Sequence, residues 1–316
     1  MTGGRVRVAI VGTGDIGRGW GALCVAAGWP VSIYDTDPRA LNVAREEIAT
    51  RAQALVALTN ADADLIELGL QNLEVGRSLL NACGEAEWVI EAIREDLIHK
   101  QRLFKAIESS APKARLVTSS SSTLAPGDIA AQCRNQHRCL IAHPLNPPEL
   151  IPLVELLPSN QTDRALLEVL KGWLRALGRI PVTIKKPVRG HVAHRIAAAV
   201  WREAIDLVLE GVIDVDDLDR AVSLGPGLGW AAAGPHLTYH LAAGTRGVSG
   251  FLQHLLQSFE ELWSDLASWK KLDREQEHRL VAAIEQAYEG QIEHIRSARD
   301  RRLASILQTL QVSKRT

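Results

Sequence analysis

The sequence predicts an α/β domain with a mostly parallel sheet over residues 1–188, followed by an all-α domain over residues 189–316. Three observations carry this expectation. Short β-branched runs alternate with helical stretches through the first half, the pattern of a parallel sheet covered by helices. A glycine triplet sits between the first of these runs and the first helix. After "KKPVRGH" the β-branched runs stop and helical periodicity continues to the end, with the boundary at 187–190. At 316 residues the chain exceeds what one core usually supports, and 46% hydrophobic content suffices for two.

The first strand is "VRVAIV", and "GTGDIGRGW" then sets Gly12, Gly14 and Gly17 in G-x-G-x-x-G spacing at the start of a helix running to Gly28. Gly12 permits a tight turn, Gly14 lets a pyrophosphate approach the backbone, and Gly17 lets helix and strand pack closely, with the helix N-terminus attracting phosphate charge. The next strand, "PVSIYD", ends in Asp35, about 20 residues past the glycines, as a Rossmann-like dinucleotide-binding unit requires. Asp35 is expected to accept bonds from the ribose hydroxyls, and with Asp37 to repel a 2′-phosphate, so NAD is expected over NADP. Helices over 38–58 and 99–109 and strands "EWVIEAI", "ARLVTS", "RCLIAH" and "IPVTI" complete this half.

In the second half a helix is expected over 192–210, closing at Gly211. Asp214 should cap the next helix, with Asp217 three residues on and Ile213 packing on Leu218. The stretch 273–310 carries Leu280, Val281, Ile284, Ala287, Tyr288, Ile292 and Ile295 at helical spacing, a stripe suited to core or dimer packing.

Composition narrows the function. A net charge of −1 supplies no basic field for nucleic acid and no polybasic run for a membrane, so a small-molecule partner is expected. Four cysteines, Cys24, Cys83, Cys133 and Cys139, form no C-x-x-C pair and suit reduced thiols of a cytosolic protein, and no metal site is supported. With neither a signal-peptide pattern nor about 18 uncharged apolar residues in a row, a soluble, cytoplasmic protein is expected.

The stretch 141–158, "IAHPLNPPELIPLVELLP", delivers His143 to the end of an apolar run and sets Glu155 inside a second one. A carboxylate among apolar neighbours requires a partner, and His143 is the nearest candidate. His143 should lie at the carboxyl ends of the strands, the edge where such sheets bind ligands. Oxidising an alcohol with NAD requires a base for the hydroxyl proton, and an imidazole oriented by a carboxylate suits that task. The stiff "PLNPP" turn would hold the pair, and "TSSSSTL" could bring a hydroxyl to the reacting oxygen, although hydroxyl clusters also occur in plain solvated turns.

These segments, together with "VIEAIREDLIHKQRLF", "HVAHRIAAAVWREAIDLVLEGVI" and "GPHLTYHLAAG", resemble the 3-hydroxyacyl-CoA dehydrogenase family, and more closely its lambda-crystallin or L-gulonate 3-dehydrogenase and L-carnitine dehydrogenase branches. The resemblance implies a homodimer that oxidises a 3-hydroxy group with NAD. By matched position it implies His143 as general base, Glu155 as its partner and Ser122 as the hydroxyl at the substrate oxygen. It implies cofactor contacts at Gly12, Gly14, Asp15, Ile16, Gly17, Asp35, Ala92, Glu95 and Lys100. Substrate contacts are implied at Ser122, Asn146, His191, His194, Arg195 and His236.

The departures concern substrate. His191 stands where the family usually has an aromatic residue and His194 where it has asparagine, while Gly229 replaces a frequent arginine and His236 a phenylalanine. Loss of aromatics argues against a quaternary ammonium group. "HPLNPPELIPLVEL" resembles the small-acid branches rather than acyl-CoA enzymes. The expectation is an NAD-dependent dehydrogenase of a short polar 3-hydroxy acid or related alcohol; the alternatives are L-carnitine, a 3-hydroxyacyl-CoA, or a non-catalytic crystallin-like protein that binds NAD.

Overall fold

Strand β1 (Val8–Val11) is buried at all four positions, and its side chains alternate between two cores. Val8 and Ile10 pack with Trp20, Ile33 and Trp88, whereas Ala9 and Val11 pack with Val89, Phe104 and Val117. Consecutive apolar residues are what a sheet covered by helices on both faces demands. The structure, a computed structural model, describes residues 5–290 and 292–312.

The chain divides into two units. One holds the described residues up to Arg195 together with Asp300–Gln308, and the other holds Ile196–Arg299 with Thr309 onward. After β1 the first unit continues with α1 (Asp15–Ala26), β2 (Val31–Tyr34), α2 (Pro38–Thr59), α3 (Ala63–Gln71), β3 (Leu73–Val75), α4 (Leu79–Cys83) and β4 (Trp88–Glu91). Then come α5 (Leu97–Ser110), β5 (Leu116–Ser119), α6 (Pro126–Ile129), β6 (Cys139–Pro144), β7 (Leu153–Pro158), α7 (Arg164–Ala176) and β8 (Ile180–Thr183). Asp37, Asp62, Asp96 and Asp163 cap α2, α3, α5 and α7 by accepting backbone N–H bonds, so these helices begin where a carboxylate can satisfy their first amides.

The eight strands form one sheet in the order β3-β2-β1-β4-β5-β6-β7-β8. Neighbours run parallel except β6 and β7, which are antiparallel. The order reverses between β1 and β4, and the carboxyl ends of strands at such a switch point open a crevice for a ligand. All four cysteines are buried and free.

Helix α8 (Ala193–Leu209) starts at the end of the first unit. It is followed by α9 (Val215–Leu224), α10 (Pro226–Ala233), α11 (Pro235–Ala242), α12 (Gly247–Asp265), α13 (Arg274–Ala287) and α14 (Ile292–Val312). Ile205, Leu209 and Leu280 form a small core here, with the Trp269 indole N–H donating to Asp206 at 2.8 Å.

One expectation for this half needs correction. Asp214 occupies the cap position of α9, but its side chain accepts no capping bond; the first-turn carboxylates of Asp216 and Asp217 pair with Arg220 instead. The stretch 273–310 falls on two helices. A capping box of Asp273 and Gln276 opens α13, and the chain breaks past Tyr288 at Gly290, whose φ of 89° lies in the left-handed region that glycine favours. Of the apolar stripe, Leu280 is buried while Val281, Tyr288, Ile292 and Ile295 are exposed. No described helix is long and apolar enough to cross a membrane.

Candidate active site

The crevice at the switch point is a cleft of about 620 Å³ whose lining includes Gly12, Thr13, Gly14, Asp35, Ala92 and Arg94. Its floor is the turn between β1 and α1. Gly12 takes a φ of 97°, and a Cβ there would stand 2.7 Å from the Ala92 carbonyl. A Cβ on Gly17 would stand 2.0 Å from the Gly12 oxygen but 3.4 Å from Ile10, so Gly17 chiefly closes the turn on itself. A Cβ on Gly14 would meet nothing within 4 Å, which leaves the backbone open to a ligand.

Asp35 follows β2 and borders this turn. Its Oδ2 accepts from the Thr13 backbone N–H at 2.9 Å and from the Thr13 hydroxyl at 3.0 Å, and its Oδ1 accepts from the Asp37 N–H at 3.1 Å. Burial alone would raise its pKa, but these donors outweigh burial and hold the carboxyl below the usual range. Asp15 and Ile16 form the first turn of α1; the Asp15 carboxylate pairs with Arg51, and Ile16 packs on the core.

The serine run after β5 is divided by what each hydroxyl does. Ser119 donates to Glu91 at 2.6 Å, Ser120 accepts from the Trp20 indole at 3.1 Å, and Ser121 donates to Glu95 at 2.6 Å. Glu95 Oε1 also takes the backbone N–H groups of Ser122 and Thr123, at 3.2 and 2.8 Å, so this one carboxylate holds the whole turn. The same donors keep the Glu95 pKa low against the opposing effect of burial. Ser122 is left part-buried, with its hydroxyl committed to no described residue.

Lys100 lies beneath the turn rather than in the cleft. At 1% exposure its ammonium donates to Glu91, itself fully buried, at 2.6 Å and to the Ile93 carbonyl at 3.0 Å. Burial raises the Glu91 pKa despite the lysine.

His143 and Glu155 are 3% and 2% exposed, and His143 Nδ1 lies 3.0 Å from Glu155 Oε2. Glu155 Oε1 accepts the backbone N–H groups of Val192 and Ala193 at 2.9 and 3.0 Å, at the start of α8. Burial opposes ionisation of Glu155, but the bonds from His143 and these two amides prevail and lower its pKa.

Two further imidazoles stand beside His143. The His191 ring lies 5.0 Å away and the His194 ring 4.8 Å, centre to centre. His191 takes a φ of 50°, is 1% exposed, and bonds the Ser121 carbonyl through Nε2 at 2.9 Å, which ties the serine turn to the start of α8. His194 is exposed, and its pKa is lowered by burial first and then by His143 and His191, with Glu155 opposing. Among the described residues no set of His, Cys, Asp or Glu side chains is arranged to hold a metal ion.

The first unit therefore brings together the Ser122 turn, His143, Glu155, His191 and His194. Asn146 and Arg195 are exposed in the same unit, while Gly229 and His236 belong to the other, where His236 borders an apolar groove with Tyr239, Phe251 and Phe259. Sequence reasoning missed Thr13 as the partner of Asp35, Glu91 as the partner of Lys100, and the two amides on Glu155. Only the acidic position within "EWVIEAI", an apolar strand, signalled one of these.

Residues 7–187 match the family model described as 3-hydroxyacyl-CoA dehydrogenase, NAD binding domain, and residues 190–282 match its C-terminal domain. An L-carnitine dehydrogenase of Nocardiopsis dassonvillei is 32% identical over 309 residues, 98% of this chain and 92% of the relative. Another, of Streptomyces griseus subsp. griseus, is 34% identical over 302 residues, 95% and 89% of the two chains. Among solved structures, 5-formyl-3-hydroxy-2-methylpyridine 4-carboxylic acid 5-dehydrogenase, an NAD+-dependent dismutase, is similar with a TM-score of 0.80 at 27% identity, covering 98% of this chain and 99% of that one.

Proposed function

This chain belongs to the 3-hydroxyacyl-CoA dehydrogenase family and is an NAD-dependent oxidoreductase acting on CH–OH groups, and from that premise we propose that it interconverts a short polar 3-hydroxy acid and its 3-oxo acid, with His143 as the base and Glu155 as its partner. The observation that carries the reading is the buried His143–Glu155 bond of 3.0 Å. In the proposed division, residues 1–188 are the NAD-binding domain and residues 189–316 a helical substrate and dimerisation domain.

The cleft fits the cofactor: the open side of Gly14 leaves room for a pyrophosphate, and the Asp35 carboxylate borders the place of a ribose. When bound, NAD supplies the hydride acceptor. Glu155 accepts His143 Nδ1–H, which fixes the tautomer and leaves Nε2 with the lone pair that takes the substrate hydroxyl proton. The ionised Glu155 then stabilises the imidazolium, while the α8 amides hold the carboxylate in place. Ser122, presented by the Glu95-held turn, donates to the reacting oxygen.

A free acid is favoured over a thioester by "HPLNPPELIPLVEL" and by relatives named L-carnitine dehydrogenase, whose named substrate is itself a short 3-hydroxy carboxylate. L-Carnitine is accordingly the second reading, opposed by the histidines that stand at 191 and 236 in place of the aromatic residues a quaternary ammonium favours. NADH formation with 3-hydroxybutyrate, L-gulonate, L-carnitine and 3-hydroxybutyryl-CoA tests it. Turnover of the thioester alone would overturn the proposal.

A further inference from the structure

A base that takes a proton in each turnover must return it before the next, and His143 is buried. Two polar neighbours of His143 lead nowhere. Glu155 holds Nδ1, and its second oxygen is saturated by the amides of Val192 and Ala193. His191 must carry its proton on Nε2, because the Ser121 carbonyl it meets can only accept, and its Nδ1 is a buried acceptor without a partner among the described residues. A proton passed there would stay in the interior.

His194 is another neighbour. Its ring faces His143 at 4.8 Å, inclined by 61°, and it is exposed. Burial and the two facing imidazoles hold it neutral near pH 7 against the pull of Glu155, so it has a lone pair to offer. The asparagine usual at this position in the family has no basic lone pair at that pH.

We propose that His194 is a proton carrier for His143. The inference rests on His143 being the base. In the oxidation direction the substrate O–H bond breaks and a proton binds His143 Nε2. That N–H bond then breaks as the proton passes through a bridging water, one O–H forming as another breaks, to a ring nitrogen of His194, which hands the proton to bulk water, while the electron pair leaves with hydride to NAD. Reduction runs the same path inward.

The test is a single turnover in weak buffer with whichever of the four compounds above is oxidised fastest, following NADH by absorbance and the released proton with a pH indicator. In the wild type the proton should keep pace with NADH. In His194→Asn it should trail NADH by on the order of 10-fold in rate, and added imidazole should restore the pace. His194→Gln should behave alike and guards against one variant failing to fold. Proton release in step with NADH in both variants, or a lag that imidazole leaves unchanged, would overturn the carrier role while leaving His143 as the base. If His143→Gln formed NADH at the full rate, the base assignment itself would fail and the carrier role with it.

Discussion

His143 and Glu155 are direct partners across the antiparallel β6–β7 ladder, and this register sets both side chains on one face of the sheet. A slip of one residue would turn Glu155 to the opposite face and leave a buried carboxylate without its imidazole. The turn "PLNPPELIP" that joins the strands therefore does more than reverse the chain: its length selects the pairing.

Replacing the base should separate chemistry from binding. His143→Gln is expected to lower turnover by about 100-fold or more while NADH affinity, measured by fluorescence titration, stays nearly constant. Glu155→Gln should move the acid limb of the pH–rate profile to lower pH, because an imidazolium without its carboxylate loses its proton more easily. An acid limb that stays in place would remove Glu155 from the pair.

Acid should weaken the site before it unfolds the rest. Asp35, Glu95 and Glu155 all have carboxyl pKa values below the ordinary ones, so the stability they contribute is full above an unfolded value of about 4 and is lost as pH falls through the lower folded values. Urea midpoints measured between pH 6 and pH 3, both about the range of carboxylate titration, should fall less steeply in Glu155→Gln than in the wild type.

Cofactor choice should follow the charge beside β2. With Asp35 ionised in the cleft and Asp37 next to it, NAD should exceed NADP in kcat/KM by on the order of 100-fold, about 2.7 kcal/mol. Comparable use of both cofactors would take the ribose role away from Asp35.

The glycines of the turn should divide by what a methyl group meets. Gly17→Ala drives Cβ against the Gly12 carbonyl and should cost about 3 kcal/mol of stability or more. Gly14→Ala meets no protein atom, so its Tm should be nearly unchanged while NAD affinity drops. Equal NAD affinity in Gly14→Ala and wild type, by calorimetric titration, would show that the ligand does not approach there.

Lys100 should prove to be a support. Lys100→Met leaves Glu91 buried without its cation and should cost about 3–5 kcal/mol, and the double change with Glu91→Gln should recover much of that loss. A lysine that instead contacted the cofactor would show its effect in NAD affinity, and the double variant would recover none of it.

The parts of this protein legible in the sequence are those whose signal is local. The glycine spacing, the strand that follows and Asp35 at its end lie within one βαβ unit, and turn geometry together with consecutive apolar residues defines them without reference to the rest of the chain. The change from β-branched runs to helical spacing near residue 188 is local in the same sense. Helix ends were less legible, because a carboxylate at a cap position, as at Asp214, still has to orient toward the amides.

His143 and Glu155 could be named from sequence because an apolar run makes an acidic residue conspicuous, but their pairing needed the β6–β7 register. The remaining relations had no sequence signal. Glu91 with Ser119 spans 28 positions, Glu155 with the Val192 amide 37, and His191 with the Ser121 carbonyl 70. Only strand order and the entry of α8 bring these groups within hydrogen-bond reach, and burial then makes each bond obligatory, since a polar group withdrawn from water without a partner costs about 1–3 kcal/mol. Periodicity records which face of an element is buried. Which partner waits on that face is a property of the folded sheet.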